Sequence, residues 1–139
     1  MTTTTESFTE AERRYLATQV LGRLATVAPD GAPQNNPVSF RYNPETATID
    51  IGGHRMGGTR KFRNVATNNQ VAFVIDDVVS LDPWQVRCVE IRGTAEALRD
   101  VEPPRPGFSR EIIRIRPRQV FSFGVDPDQA GMQRRDLKS

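Results

Sequence analysis

Short runs of apolar and β-branched residues, separated by polar turn residues, recur along most of the chain. They predict strands at 21–27, 34–42, 48–51, 71–75, 86–98 and 112–123. The turns between them carry Gly, Pro, Asn and Asp, as in Asp30-Gly31, where a tight reversal needs left-handed backbone. Six or seven strands, largely antiparallel, indicate a mainly β fold built as a barrel-like sheet with short helices at its periphery.

Two segments have helical signals instead. Thr9 followed by Glu12 is a capping box and predicts that a short helix begins there. Phe62, Val65 and Ala66 recur at helical spacing and predict a second short helix between residues 59 and 68. Within the second strand, Pro37 has no N–H for a ladder, so that stretch is expected at a sheet edge or a bulge.

The length and the distribution of apolar residues predict one domain. The chain has 139 residues, which is enough for a single modest core. Residues 1–8 are expected to form a flexible N-terminal lead, residues 9–125 the domain, and residues 126–139 a polar tail. Neither end shows an apolar period that would pack on a core.

Composition excludes several classes of function. Nineteen Lys and Arg against 17 Asp and Glu leave a net charge of +2, too small to indicate nucleic-acid binding. Cys88 and His54 are the only residues of their types, so neither an intramolecular disulfide nor a cysteine-based or histidine-based metal site is expected. Without a signal peptide or an apolar run of about 18 residues, we expect a soluble cytoplasmic protein with no membrane contact.

The residues that could bind a ligand lie between the end of the third strand and the start of the second helix. Gly52, Gly53, Gly57 and Gly58 make a glycine-rich loop, and the helix then begins with a basic segment at 60–63. Cations at a helix N-terminus oppose the helix dipole, and a bound anion such as a phosphate would remove that conflict. A solvated basic helix after a flexible loop is the alternative.

The order of segments resembles the pyridoxamine 5′-phosphate oxidase-like superfamily. The stretches that carry the resemblance are LGRLATV at 21–27 with PDG at 29–31, NPVSF at 36–40, TRKFRNV at 59–65 leading into VAFV at 71–74, and VEIRGTAE at 89–96. The resemblance spans about residues 9–125 and implies a split β-barrel.

Further stretches resemble the F420-dependent branch of that superfamily, close to the subfamily that includes the reductase of oxytetracycline biosynthesis. These are FRYNPET at 40–46, IDIGGH at 49–54, DPW at 82–84 and EIIRIRP at 111–117. The resemblance implies a homodimer with a cofactor groove at the interface and a small organic molecule as substrate.

The resemblance also implies the residues of the site. Arg60 and Lys61, helped by Thr59, would hold the cofactor phosphate, and the strand at 36–39 would lie along the tricyclic ring. The segment from Trp84 to Cys88 would approach the cofactor bound mainly to the partner chain. The expected cofactor-binding residues are Asn36, Pro37, Val38, Ser39, His54, Thr59, Arg60, Lys61, Trp84, Arg87 and Cys88.

The implied activity is hydride transfer between coenzyme F420 and a conjugated or carbonyl-containing organic substrate. The sequence selects no catalytic residue, although His54 or Tyr42 could supply a proton. Two alternatives stay open: an FMN-binding oxidoreductase of the same fold, because FMN also has a phosphate and a tricyclic ring, and a non-enzymatic module that binds a flavin or F420.

Overall fold

The computed structural model of the chain describes residues 7–137 and contains two helices and seven strands. Helix α1 spans Glu10–Ala17 and α2 spans Arg60–Thr67, with a single 3₁₀ turn at Met56–Gly58 before it. The strands are β1 Leu21–Val27, β2 Pro33–Asn43, β3 Thr48–Ile51, β4 Gln70–Leu81, β5 Trp84–Leu98, β6 Ile112–Phe123 and β7 Gln133–Asp136. No helix within residues 7–137 is long and apolar enough to cross a membrane.

The strands form one antiparallel sheet that closes on itself at one end only. Their order is β3-β2-β1-β4-β5-β6-β7, and β3 also pairs with the first part of β6 through Ile49 and Ile115. The later part of β6, residues 119–122, pairs instead with β7. The sheet is therefore a barrel that is closed at one end and open at the other, which confirms the predicted split β-barrel.

The core follows from the alternation of residues along these strands. Leu24, Phe73, Ile91 and Val120 are cross-strand neighbours in one row from β1 to β6. Each of them is at most 1% exposed. Because side chains alternate between the two faces of a strand, their neighbours in sequence point to the outer face of the sheet.

The hairpin between β4 and β5 is longer than the sequence predicted. Strands were expected at 71–75 and 86–98 only, but strand pairing continues to Leu81 opposite Trp84, across a cis Asp82–Pro83 peptide bond. The pairing of β4 with β1 ends at Val74, and that of β6 with β5 ends at Cys88. The last part of the hairpin therefore extends beyond its neighbouring strands.

Both chain ends differ from the predicted flexible lead and unpacked tail. In the lead, residues 1–6 lie outside the described residues, but Phe8 is 1% exposed and its ring packs against Tyr42. In the tail, β7 pairs with β6, and Arg135 reaches the buried Glu12 of α1. The sequence did not predict this short strand, because its two half-buried side chains, Gln133 and Arg135, are polar and leave no apolar period.

Candidate functional site

Thr59 forms the N-terminal cap of α2. Its Oγ1 accepts a hydrogen bond from the Phe62 N–H at 3.3 Å and donates one to the Met56 carbonyl at 2.7 Å. Both bonds are internal to the chain and define where the helix begins. The hydroxyl of Thr59 therefore builds the helix start that carries the cations.

Arg60 and Lys61 are the cations at this helix start. Arg60 is exposed and Lys61 is half-buried, and neither side chain has a hydrogen bond or ion pair with another described residue. The first turn of α2 contains no acidic residue. The conflict with the helix dipole predicted from the sequence is thus present, and two cationic groups are free to bind an anion.

A groove runs along α2 beside these cations. It lies between the helix and the β1–β2 turn and encloses about 650 Å³. Its lining combines the turn with the polar face of the helix, and its members are Ala28, Pro29, Asp30, Ala32, Gln34, Arg60, Arg63, Asn64 and Thr67. The groove is of the size at which small-molecule sites occur.

Asn64 and Gln34 line the groove of the candidate site, although the sequence did not indicate them. Asn64 is 2% exposed, whereas Ala66, which was expected on the buried side of the helix, is exposed. The Nδ2 of Asn64 donates hydrogen bonds to Thr26 Oγ1 at 3.0 Å and to Gln34 Oε1 at 2.7 Å. The sequence did contain one signal, an asparagine between the apolar positions 62 and 65. An amide buried at such a position needs polar partners, which predicts hydrogen bonds to neighbouring elements.

The free edge of β2 lies in the same part of the fold. Residues 33–39 pair with β1 on one side, whereas the pairing with β3 involves only residues 40–43. This confirms the edge position predicted from Pro37. Asn36 and Pro37 are exposed and Ser39 is half-buried, but Val38 is 6% exposed and belongs to the core. The side chain of Val38 is therefore not available to a ligand, and only its backbone could take the expected role along the ring.

His54 lies on the loop that leads to α2 and is exposed. Its Nδ1 is 3.1 Å from the carbonyl oxygen of Gly107, and its ring meets the ring of Phe108 edge to face. Tyr42, the other candidate proton donor, is packed against Phe8. Of the two, His54 is the more exposed, since Tyr42 is half-buried.

Trp84 is far from α2 within one protomer. It pairs with Leu81 at the end of β4, and β4 has 12 residues and begins at Gln70, just after the helix. At about 3.3 Å per residue the two ends of the strand are about 36 Å apart. The helix itself is only about 12 Å long. Trp84 is 65% exposed and cannot reach the helix start of its own chain.

Arg87 is already bound within its own chain. It donates to both carboxylate oxygens of Asp77, at 3.0 and 2.6 Å, and its guanidinium lies 4.9 Å from the ring centre of Tyr15. The hydroxyl of Tyr15 in turn donates a hydrogen bond to Asp77 Oδ1 at 2.9 Å. The hydrogen bonds from Arg87 hold the pKa of the Asp77 carboxyl below its usual range. Arg87 therefore joins α1 to the base of the hairpin.

Cys88 is a half-buried thiol on β5. Burial raises its pKa, and the nearby negative charge of Glu90 raises it further. Because the thiolate is the reactive form, this environment disfavours nucleophilic chemistry. The structure places Cys88 on the outer face of the sheet beside Asp76, away from α2.

A family model identifies the chain. The model of the pyridoxamine 5′-phosphate oxidase family matches residues 8–124. The chain belongs to this family. A curated relative, the 5a,11a-dehydrotetracycline/5a,11a-dehydrooxytetracycline reductase of Streptomyces rimosus subsp. rimosus, is 49% identical over 132 residues, which cover 94% of this chain and 93% of the relative. The family is named after an oxidase and the relative is a reductase, and both are oxidoreductases. The chain is an enzyme of that class.

Solved structures agree with this assignment. A conserved hypothetical protein from Mycobacterium tuberculosis superposes with a TM-score of 0.67 at 20% identity, covering 96% of each chain, and shows the common fold. An F420 reductase superposes with a TM-score of 0.53 at 28% identity, covering 70% of this chain and 86% of its own. The resemblance to the family described from sequence motifs is therefore confirmed.

Proposed function

We propose that the protein is an F420-dependent reductase that transfers a hydride from the reduced deazaflavin to a conjugated or carbonyl-containing organic substrate. The observation that carries this proposal is the pair of unpartnered cations, Arg60 and Lys61, at the start of a helix in a family of oxidoreductases. The choice of F420 is supported by the 28% identity to an F420 reductase. The substrate class is supported by the 49% identity to a reductase of dehydrotetracyclines.

The residues present fit a cofactor with a phosphate. Arg60 and Lys61 have no acidic partner among residues 7–137, so binding a phosphate would break no ion pair there. The free N–H groups at the start of α2 add donors of the same polarity. Each charge-assisted hydrogen bond to the phosphate contributes about 1.5–3 kcal/mol.

The edge of β2 would hold the ring of the cofactor. Asn36 and Pro37 are exposed there, and residues 33–39 have a free edge on the side away from β1. Backbone groups along such an edge can donate and accept hydrogen bonds that fix a planar ligand. His54 would hold or deliver a proton at the substrate, because its imidazole is exposed on the loop before α2.

We also propose that the protein is a homodimer with cofactor sites at the interface. Trp84 is too far from α2 to act in its own chain, so its exposed indole would serve the site of a second copy. Val78, Val79 and Leu81 are also 51–78% exposed on the same hairpin. Apolar side chains exposed together on a protruding hairpin favour burial against another chain.

Binding and turnover measurements test the proposal. The purified protein is titrated with F420, with FMN and with riboflavin, and reduced F420 is then supplied with a panel of enones, quinones and dehydrotetracyclines. We expect tight binding of F420 and oxidation of reduced F420 that depends on an enone or carbonyl substrate. Tight binding of FMN but not of F420 would identify FMN as the cofactor. Binding without turnover of any substrate would favour a non-enzymatic carrier.

A further inference from the structure

Asn64 connects α2 to two strands at once. The two acceptors of its Nδ2, Thr26 Oγ1 and Gln34 Oε1, belong to cross-strand neighbours in the β1–β2 ladder. Both hydrogens of one amide group are therefore used to join the helix to the pair of strands just before they turn. Asn64 is 2% exposed, its bond to Thr26 is buried and its bond to Gln34 is partly buried, so loss of these partners would leave a buried amide unsatisfied.

The position of Asn64 relates the two parts of the candidate site. Arg60 precedes it by four residues, so the two side chains lie on the same face of α2, and both line the groove with Gln34. Gln34 is two residues before Asn36 on β2, and side chains two residues apart share a face of a strand. The amide thus joins the helix that carries the cations to the strand edge where the ring would lie.

An eight-residue helix does not fix its own orientation. Helices this short are marginal in water, and their placement depends on tertiary contacts. The apolar contacts of α2, made by Phe62 and Val65, are non-directional and tolerate small rotations. The two hydrogen bonds of Asn64 are directional and join the helix to β1 and β2, so they restrict the rotation of the helix about its axis, and with it the place of Arg60.

We propose that Asn64 is a positioning residue that holds the phosphate-binding cation Arg60 in register with the ring-binding edge of β2. This inference rests on the proposed function, because it assumes a phosphate at Arg60. Asn64 would not touch the cofactor. Its removal should weaken the binding of the phosphate specifically and leave the affinity for a phosphate-free ring almost unchanged.

The test compares cofactors with and without a phosphate. FMN and riboflavin form one such pair, and F420 and its phosphate-free deazaflavin core form another. For each protein variant the phosphate preference is the ratio of the two affinities within a pair. We expect Asn64→Ala to lower this preference by about tenfold or more, since displaced charge-assisted bonds of 1.5–3 kcal/mol correspond to that factor.

Asn43→Ala is the matched control. Asn43 is also a buried asparagine, 7% exposed, whose Nδ2 donates to Asp50 and whose Oδ1 accepts from the Glu45 N–H. It lies at the far end of β2, remote from α2. We expect its replacement to cost stability without changing the phosphate preference, which separates positioning from general loosening of the fold.

A double-mutant cycle with Arg60→Ala completes the test. If Asn64 acts through Arg60, then Asn64→Ala should have no further effect on the phosphate preference once Arg60 is removed. Independent, additive losses in a folded Asn64→Ala protein would overturn the inference, and so would an unchanged preference. If Asn64→Ala does not fold, Thr26→Val removes one of the two acceptors at nearly constant volume and is judged by the same criteria.

The outcomes also separate this inference from the proposed function. If Arg60→Ala together with Lys61→Ala leaves the phosphate preference unchanged, the phosphate site is wrong, and the role of Asn64 is overturned with it. If that double variant loses the preference and Asn64→Ala keeps it, the phosphate site stands and only the positioning role is refuted.

Discussion

Glu12 and Arg135, which are 123 positions apart in the sequence, form a two-bond ion pair in the interior. Arg135 Nη2 is 2.6 Å from Glu12 Oε1, and Nη1 is 3.0 Å from Oε2. Glu12 is 1% exposed and also accepts hydrogen bonds from the Ser122 hydroxyl and the Thr9 backbone. One carboxylate therefore caps α1 and joins both ends of the domain to β6.

Replacing Arg135 should lower the free energy of unfolding markedly. Arg135→Gln leaves the Glu12 carboxylate buried with its charge uncompensated, and breaking such a pair from one side typically costs about 3–5 kcal/mol. Arg134→Gln is the matched control on the same strand, because Arg134 pairs with Asp136 at the surface, where ion pairs contribute about 0–1 kcal/mol. Urea unfolding of the two variants measures the difference, and equal losses would contradict the role given to Arg135.

Phe8 should contribute to stability although it lies in the segment expected to be a flexible lead. Its side chain is 1% exposed, and a buried Phe→Ala change costs about 3–5 kcal/mol. Met132→Ala, at a side chain that is 58% exposed, is the control and should change the free energy of unfolding little. A melting temperature of Phe8→Ala equal to that of the wild type would show that Phe8 does not pack on the core in solution.

Acid should destabilise the protein through Asp50. Burial raises the pKa of its carboxyl, but hydrogen bonds from Arg114, Asn43 and Thr48 outweigh burial and hold the pKa below its ordinary value of 3.8. A carboxyl whose pKa is lower in the folded state contributes stability that is complete above its ordinary pKa. That contribution is lost as the pH falls through the folded pKa.

The measurement is the free energy of unfolding as a function of pH. We expect the wild type to lose stability as the pH falls below about 4, because the unfolded chain then binds the proton more readily. Asp50→Asn should be less stable at pH 7 and should show a shallower fall in acid. Parallel curves for the two proteins would mean that Asp50 does not contribute to the acid transition.

Gly93 should not accept a side chain. It sits opposite Pro117 at the bulge between β5 and β6, and a Cβ there would meet the backbone carbonyl oxygen of Arg116. Gly93→Ala should therefore cost about 1–3 kcal/mol, since backbone cannot move aside as a flexible side chain can. Gly58→Ala is the control, because a Cβ at Gly58 meets nothing within 4 Å. Equal stability of the two variants would contradict this packing.

Local patterns predicted the elements of the fold well where hydrophobic alternation or a cap was strong. The strand at 21–27, the capping box at Thr9 and the helix after Thr59 are present as expected. The edge position of Pro37 also followed, because a missing N–H is a property of the residue itself. These features depend on neighbouring residues and can be read from a single sequence.

Polar pairs between residues far apart in the chain could not be predicted from the sequence. No local sequence pattern predicts these pairs. They are the pairs of Arg135 with Glu12, of Arg87 with Asp77, and of Asn64 with Gln34. Each of these partners is brought close by the sheet, and only the folded arrangement decides which arginine stays free for a ligand. The candidate site at the start of α2 therefore stays a prediction from the sequence, while the inward-facing Val38 and the buried Asn64 needed the structure.

Binding of an anionic group at the start of α2 is tested most directly by one titration. F420 and FMN are titrated by fluorescence into the wild type and into Arg60→Ala with Lys61→Ala, and melting curves are recorded without cofactor. We predict that the double variant loses at least about two orders of magnitude in affinity, since two charge-assisted bonds are removed. Its cofactor-free form should be equally stable or slightly more stable, because the removed cations oppose the helix dipole. Unchanged affinity for both cofactors would contradict the account.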